Sequence, residues 1–207
     1  MHYSAAMAEG LRERKKQRTR QALIQAAMRL FEEKGFEETT LAEIAAEADV
    51  STRTFFSYFA GKEDVLFYDA GARLERALAR LSARRPGDTV ADLLLQLIDD
   101  SIGQAIAGAG TFDAAAVRVR LVLTVPSLQA RALHVLLDSQ LTLAKALHEA
   151  FRDRLTLSEA GATVGALIGA IMVAVMTDVD EDRSVEEIMA TVRRAGEIAL
   201  AGLRALG

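Results

Sequence analysis

The chain is predicted to be all-α, with an N-terminal three-helix domain containing a helix-turn-helix and a larger C-terminal helical domain, about nine helices in total. Three observations lead there. Apolar residues recur at three- and four-residue spacing along most of the 207 residues. Ser or Thr followed three residues later by Asp or Glu opens several of these periodic runs, as at Thr40 and Glu43, Thr89 and Asp92, and Ser184 and Glu187. Only two prolines interrupt the chain, and no segment shows the two-residue alternation of a strand. The expected division is a flexible basic arm over residues 1–14, a helix-turn-helix domain over 15–62 and a larger C-terminal helical domain over 63–207.

Composition narrows the chemistry. Half the chain is hydrophobic (51%), enough for a sizeable core. The absence of cysteine excludes thiol catalysis, disulfides and Cys-based zinc sites. His2, His134 and His148 are too scattered for a metal motif, so no metal or cofactor is expected. No nucleophile–base pair or phosphate loop points to an enzyme. The N-terminus lacks the apolar core of a signal peptide, so a cytoplasmic protein is expected, and either Met1 or Met7 can be its start. A net charge of −4 requires any nucleic-acid binding to rest on a local arrangement of charge.

Residues 11–20 carry Arg12, Arg14, Lys15, Lys16, Arg18 and Arg20 against Glu13 alone, a run that fits an arm along phosphates or a solvated tail. From Thr19 to Lys34, Leu23, Ile24, Ala27, Leu30 and Phe31 share one helical face, and Gly35 stops the helix. Thr40 with Glu43 caps a second helix whose stripe is Leu41, Ile44, Ala45 and Ala48. Asp49 tolerates the left-handed backbone of a helix stop, and Ser51 caps a third helix running to Phe59. In it Phe55 and Phe59 point one way, leaving Thr52, Arg53, Thr54, Ser57 and Tyr58 for the other faces, a size and polarity that suit a major groove. Gly61 ends this helix. Eight of the eleven aromatic residues lie between Phe31 and Tyr68, where a small domain needs large side chains in its core. Residues 21–64 nevertheless hold four basic and nine acidic side chains, six of the acids between Glu32 and Glu47, which implies a basic edge and an acidic back.

The run VSTRTFFSYFAGKEDVL, with TTLAEIAAEADVS before it and AAMRLFEEKGFEE upstream, resembles the DNA-binding domain of the TetR (tetracycline-repressor) family of bacterial transcriptional regulators. The likeness covers roughly residues 15–68. Two positions depart from the family's pattern: Asp49 stands where Gly is usual, and Phe56 where Tyr commonly supplies a hydroxyl. The resemblance implies a homodimeric regulator, a repressor by expectation, on a palindromic double-stranded operator, released by a small-molecule effector. Its DNA-contacting set is then Thr40, Ser51, Thr52, Arg53, Thr54, Phe56, Ser57, Tyr58 and Lys62. Arg53 and Thr52 are expected to read bases, and Thr40, Tyr58 and Lys62 to hold phosphates.

Beyond this domain, Val65 to Ala83 is expected as one helix, broken at Arg84–Asp88. Thr89 then caps a helix carrying Leu93, Leu94, Leu97, Ile98 and Ile102 up to Gly108–Gly110, and Ala114 to Thr124 forms a shorter one. Pro126 starts a long helix through Leu155 with Leu133, Leu136, Gln140, Ala144, Leu147 and Phe151 inward. Asp100, Ser101, Thr124, Leu136 and Gln140 are the candidate lining of an effector pocket, though polar residues at helix crossings more often bond to one another. Ala160 to Thr177 carries no charge and places Gly161, Gly165 and Gly169 at intervals of four. The shortness of that run and its acidic flanks argue against a membrane span. With Val192, Ala195 and Ala199 of the last helix, the three glycines are expected to form a dimer interface.

Overall fold

The structure, a computed structural model, describes residues 2–109, 112–178 and 184–204. Among these residues it has ten helices joined by turns and no strand, in two units, Met1–Tyr68 and Asp69–Gly207. Gly110 of the expected glycine break and residues 179–183 of the expected acidic loop lie outside the described residues.

The first unit holds α1 (His2–Lys34), α2 (Leu41–Glu47), α3 (Thr52–Phe56) and α4 (Lys62–Leu66). Residues 11–14, expected in a flexible arm, are helical backbone continuous with α1. Leu23, Ile24, Ala27, Phe31 and Phe36 meet Ile44, Ala45, Phe55, Phe59, Val65 and Leu66 in the core. Because Val65 and Leu66 belong to this core, the boundary falls after Tyr68 rather than after residue 62. Gly35 ends α1 at φ +88°, where a side chain would be strained. Thr39 is buried, and its hydroxyl donates to the Gly35 carbonyl at 2.7 Å, so the polar group costs little.

The second unit comprises α5 (Ala70–Ser82), α6 (Val90–Ala109), α7 (Phe112–Thr124), α8 (Pro126–Ala150), α9 (Leu157–Asp178) and α10 (Val185–Arg204). Its core joins Leu81, Leu93, Leu94 and Ile98 to Leu147, Phe151, Val164, Leu167 and Leu200. The expected Val65–Ala83 helix is two helices, α4 and α5. Asp69 between them sits at φ −106°, ψ −2°, and its carboxylate is held by Arg73 at 2.7 Å and Arg118 at 3.3 Å, which fixes a fresh helix start. Helix α8 stops at Ala150, short of Leu155, because Phe151 turns its ring fully into the core beneath the Arg84 guanidinium, 4.2 Å from the ring centre. A capping box missed in the sequence then opens α9: Glu159 accepts from the Thr156 amide at 2.7 Å, and its own amide donates to the Thr156 hydroxyl at 3.3 Å. The Thr156 amide, together with the Thr156 hydroxyl that also donates to the Glu159 carboxylate at 2.7 Å, lowers the Glu159 pKa.

Candidate nucleic-acid interface

The helix-turn-helix is assembled from local bonds before any packing. Thr40 caps α2: its hydroxyl accepts from the Glu43 amide at 3.3 Å, while the Glu43 carboxylate accepts the Thr40 amide at 2.9 Å and the Thr40 hydroxyl at 2.7 Å. Lys34 also binds Glu43, and with Thr40 it lowers that carboxyl to a pKa of about 2. The Thr40 proton is therefore already committed to Glu43, so in this arrangement the hydroxyl has none to donate to a phosphate. At the other end of α2, the Asp49 amide donates to Ala46 at 3.0 Å and the Val50 amide to Ala45 at 2.9 Å, with Asp49 at φ +54°. This is the bonding pattern of a helix stop normally made by glycine. Aspartate is among the few residues that adopt it at modest cost.

Ser51 caps α3 by accepting the Thr54 amide at 3.1 Å. The regular helix ends at Phe56 rather than Phe59, because the Ser57 and Tyr58 amides bond three residues back and tighten the last turn. Phe55 and Phe59 are buried, their ring centres 5.6 Å apart, and they anchor the helix. Above them Ser51, Thr52, Arg53 and Ser57 are exposed, Thr54 and Tyr58 half-buried, and the Phe56 ring is 57% exposed, edge-on to Phe55. Arg53 forms no ion pair among the described residues. On α2, by contrast, Glu47 is taken by Arg29 at 2.7 Å and Glu43 by Lys34, so two acids behind the surface are neutralised.

Lys62 does not have the freedom expected of a phosphate ligand. Its ammonium donates to the carbonyls of Phe36 at 2.7 Å, Glu37 at 3.1 Å and Thr39 at 3.1 Å, and lies 4.4 Å from the centre of the Phe36 ring. All three protons are used in tying α4 to the loop that leads into α2. A hint was legible, since a lysine in the first turn of a helix opposes the helix dipole and needs compensation elsewhere. Arg20 is likewise fixed: it donates to the Tyr68 carbonyl at 2.6 Å, with the Phe59 and Tyr68 rings each 5.9 Å away.

In the second unit, three of the five expected pocket residues lie on the exposed surface. Asp100, Ser101 and Thr124 are exposed, and the Thr124 hydroxyl donates to Arg120 of its own helix at 2.8 Å. Asp100 lies two positions beyond buried Ile98, about 200° around a helix, so it faces away from the core. Leu136 and Gln140 are half-buried, and Leu133, expected inward, is exposed. The expected interface residues divide in the same way. Ala195 is buried, and Val192 and Ala199 pack on the core of their own chain. Among the described residues of α9 and α10, Leu157, Val173, Met176 and Ile198 are the exposed large apolar side chains, and Ile198 lines a groove of about 610 Å³ with Ala170, Ala174, Thr191 and Arg194. A Cβ placed on Gly161, Gly165 or Gly169 meets nothing within 4 Å. Among the described glycines of the second unit, the close approach is at Gly196, where a Cβ would lie 2.4 Å from Ile98 Cδ1, and the sequence pattern did not single it out.

Comparison with known proteins agrees with this geometry. Residues 23–68 match the family model of bacterial regulatory proteins of the tetR family. The HTH-type transcriptional regulator TcmR of Streptomyces glaucescens is 46% identical over 79 residues, 38% of this chain and 35% of that one. HbdR of Aromatoleum sp. (strain CIB), also an HTH-type transcriptional regulator, is 48% identical over 48 residues, 23% of this chain and 21% of its own. The matched stretches thus span about a third or less of these relatives. Among solved structures, the fatty acid degradation regulator FadR of Bacillus halodurans superposes with TM-score 0.58 at 22% identity, over 90% of this chain and 96% of that one. The Thermus thermophilus FadR complex with lauroyl-CoA gives TM-score 0.52 at 24% identity, over 88% and 94%. At these identities the superpositions establish the fold, an N-terminal helix-turn-helix domain followed by a helical C-terminal domain. Residues 23–68 thus match a tetR-family domain, and the relatives that share this stretch are transcriptional regulators.

Proposed function

We propose that this TetR-family chain is a cytoplasmic, homodimeric repressor that binds a palindromic duplex operator and leaves it when a small molecule binds the C-terminal unit. The observation that carries the reading is α3: a capped helix held by buried Phe55 and Phe59 that presents Thr52, Arg53, Phe56 and Ser57 outward. In this reading Arg53 and Thr52 hydrogen-bond base edges, Phe56 lies against a thymine methyl, and Ser51, Thr54, Ser57 and Tyr58 set the register on phosphates.

One α3 reads half a site, so tight binding needs two copies held about one helical turn apart or a multiple of it. The second copy is assigned to the outward face of α9 and α10, with Val173, Met176 and Ile198 packing into a four-helix bundle. That assignment also accounts for α9, which is long and apolar enough to cross a bilayer yet has only 22% of its most apolar stretch buried within the chain. The Thermus FadR, which shares this fold, forms a complex with lauroyl-CoA, and that supports a small-molecule ligand for this chain. Leu136 and Gln140 of α8 are the best placed of the candidate lining residues here. The ligand acts by favouring a state whose two recognition helices no longer match the groove spacing, an energy difference of a few kcal/mol.

Selection of bound duplexes from a random pool tests the reading. The full chain should enrich a palindrome, and Arg53→Ala should relax preference at one position of each half-site by about 1–3 kcal/mol. An unchanged preference in the variant would remove Arg53 from base reading, and no enrichment by the native chain would remove the function.

A further inference from the structure

The first unit divides sharply in charge. Residues 21–64 carry four basic and nine acidic side chains, net −5, whereas residues 11–20 carry six basic and one acidic, net +5. A polyanion approaching the helix-turn-helix alone would meet an acidic body, and the compensating charge is concentrated in a single stretch. That stretch is helical backbone continuous with α1, and Arg12, Arg14, Lys15, Lys16 and Arg18 on it are all exposed. Five cations within seven positions include like-charged neighbours three and four apart, such as Arg12 with Lys16 and Arg14 with Arg18, which disfavour an isolated helix. One short-range side-chain bond there, Gln17 to Glu13 at 3.0 Å, works the other way. The sixth cation, Arg20, is set apart by its bond to the Tyr68 carbonyl and anchors the helix to the core of the unit.

We propose that the helical extension over residues 12–18 is a second DNA-contacting element, which grips duplex phosphates outside the recognition site and supplies most of the electrostatic affinity. The proposal rests on the DNA-binding reading above and adds to it the element that makes an otherwise acidic domain compatible with a polyanion. The five cations occupy an arc of about 200° of the helix, with Arg14, Lys15 and Arg18 within about 100° of one another and Arg12 and Lys16 on the adjoining side. Three to five of them therefore reach phosphates at once. Such contacts carry no base information, and their affinity comes from released counterions.

The test uses the full chain with Arg12→Gln, Arg14→Gln, Lys15→Gln, Lys16→Gln and Arg18→Gln combined, titrated with the selected duplex and with a random duplex over a salt series. The neutral variant should bind both duplexes more weakly with the preferred sequence unchanged. Its plot of log affinity against log salt should be shallower by roughly 2.7 to 4.5 per bound chain. Its deficit at 50 mM salt should then shrink by roughly 40- to 500-fold at 200 mM. Arg12→Lys, Arg14→Lys and Arg18→Lys together should keep the native slope, and duplex should protect the native segment from trypsin. Equal slopes and affinities for the neutral variant and the native chain would overturn the proposal while leaving the regulator reading intact. An altered preferred sequence would overturn the phosphate assignment, and a native chain that bound no duplex would overturn both readings.

Discussion

The two units are stabilised by different kinds of contact. Within Met1–Tyr68, every helix after α1 is seven residues or shorter, too short to persist alone; α2 and α3 are fixed by side-chain caps, α4 by the Lys62 bonds to the preceding loop, and all three by buried side chains. Within Asp69–Gly207 the helices run from 13 to 25 residues, and their shared core is mostly aliphatic. Short helices are governed by chemistry within a few residues of their ends. Long helices form easily, and what remains to be decided is which face of each is covered and by what.

The largest expected effect contrasts two adjacent rings of the first unit. Phe55→Ala should cost about 3–5 kcal/mol, because it empties a fully buried site, and the unit should melt early. Phe56→Ala should stay within about 0.5 kcal/mol in a thermal melt yet weaken binding to the selected duplex. Equal losses of stability would mean that the exposed ring is a structural one.

Next comes the contrast between glycines of the second unit. Gly196→Leu drives a side chain into Ile98 and should cost about 1–3 kcal/mol at any protein concentration. Gly165→Leu, with open space within its own chain, should retain helicity but lower the dimer fraction and operator affinity together, as read by sedimentation and duplex titration on one sample. If Gly165→Leu remained a full dimer, α9 would lie outside the interface.

Lys62 sharpens the comparison from the other side. Lys62→Met leaves three carbonyls without their donor and should cost about 1–3 kcal/mol of stability, with the salt slope of DNA binding unchanged. A slope lower by about one with unaltered stability would return Lys62 to the phosphates.

The smallest effect is one of pH. Glu43 has its carboxyl depressed from 4.5 to about 2 by Lys34 and Thr40, so its contribution is present above pH 4.5 and is lost as pH falls towards 2. Glu43→Gln should flatten the acid limb of stability in that window, and an identical limb would show that the capping box survives protonation.

The sequence by itself determined the all-helical class and the local geometry of the first unit. Thr40, Ser51, Asp49 and Gly35 act through bonds to residues at most five positions away, and a signal of that range is written wholly in its neighbours. The Thr156 and Glu159 box was equally legible and was overlooked. Only the tertiary structure decided that Lys62 and Arg20 bind carbonyls 23 to 48 residues distant, that α8 stops where Phe151 turns inward, and that Val192, Ala195 and Ala199 face their own core. It likewise revealed a close approach within the chain at Gly196, which no pattern marked, while the line of Gly161, Gly165 and Gly169 stays open within the chain. The physical reason is the same in each case. Periodicity states that a helix has an apolar face, whereas the choice of what covers it depends on elements far away in the chain, and an apolar helix such as α9 offers more than one face to choose from.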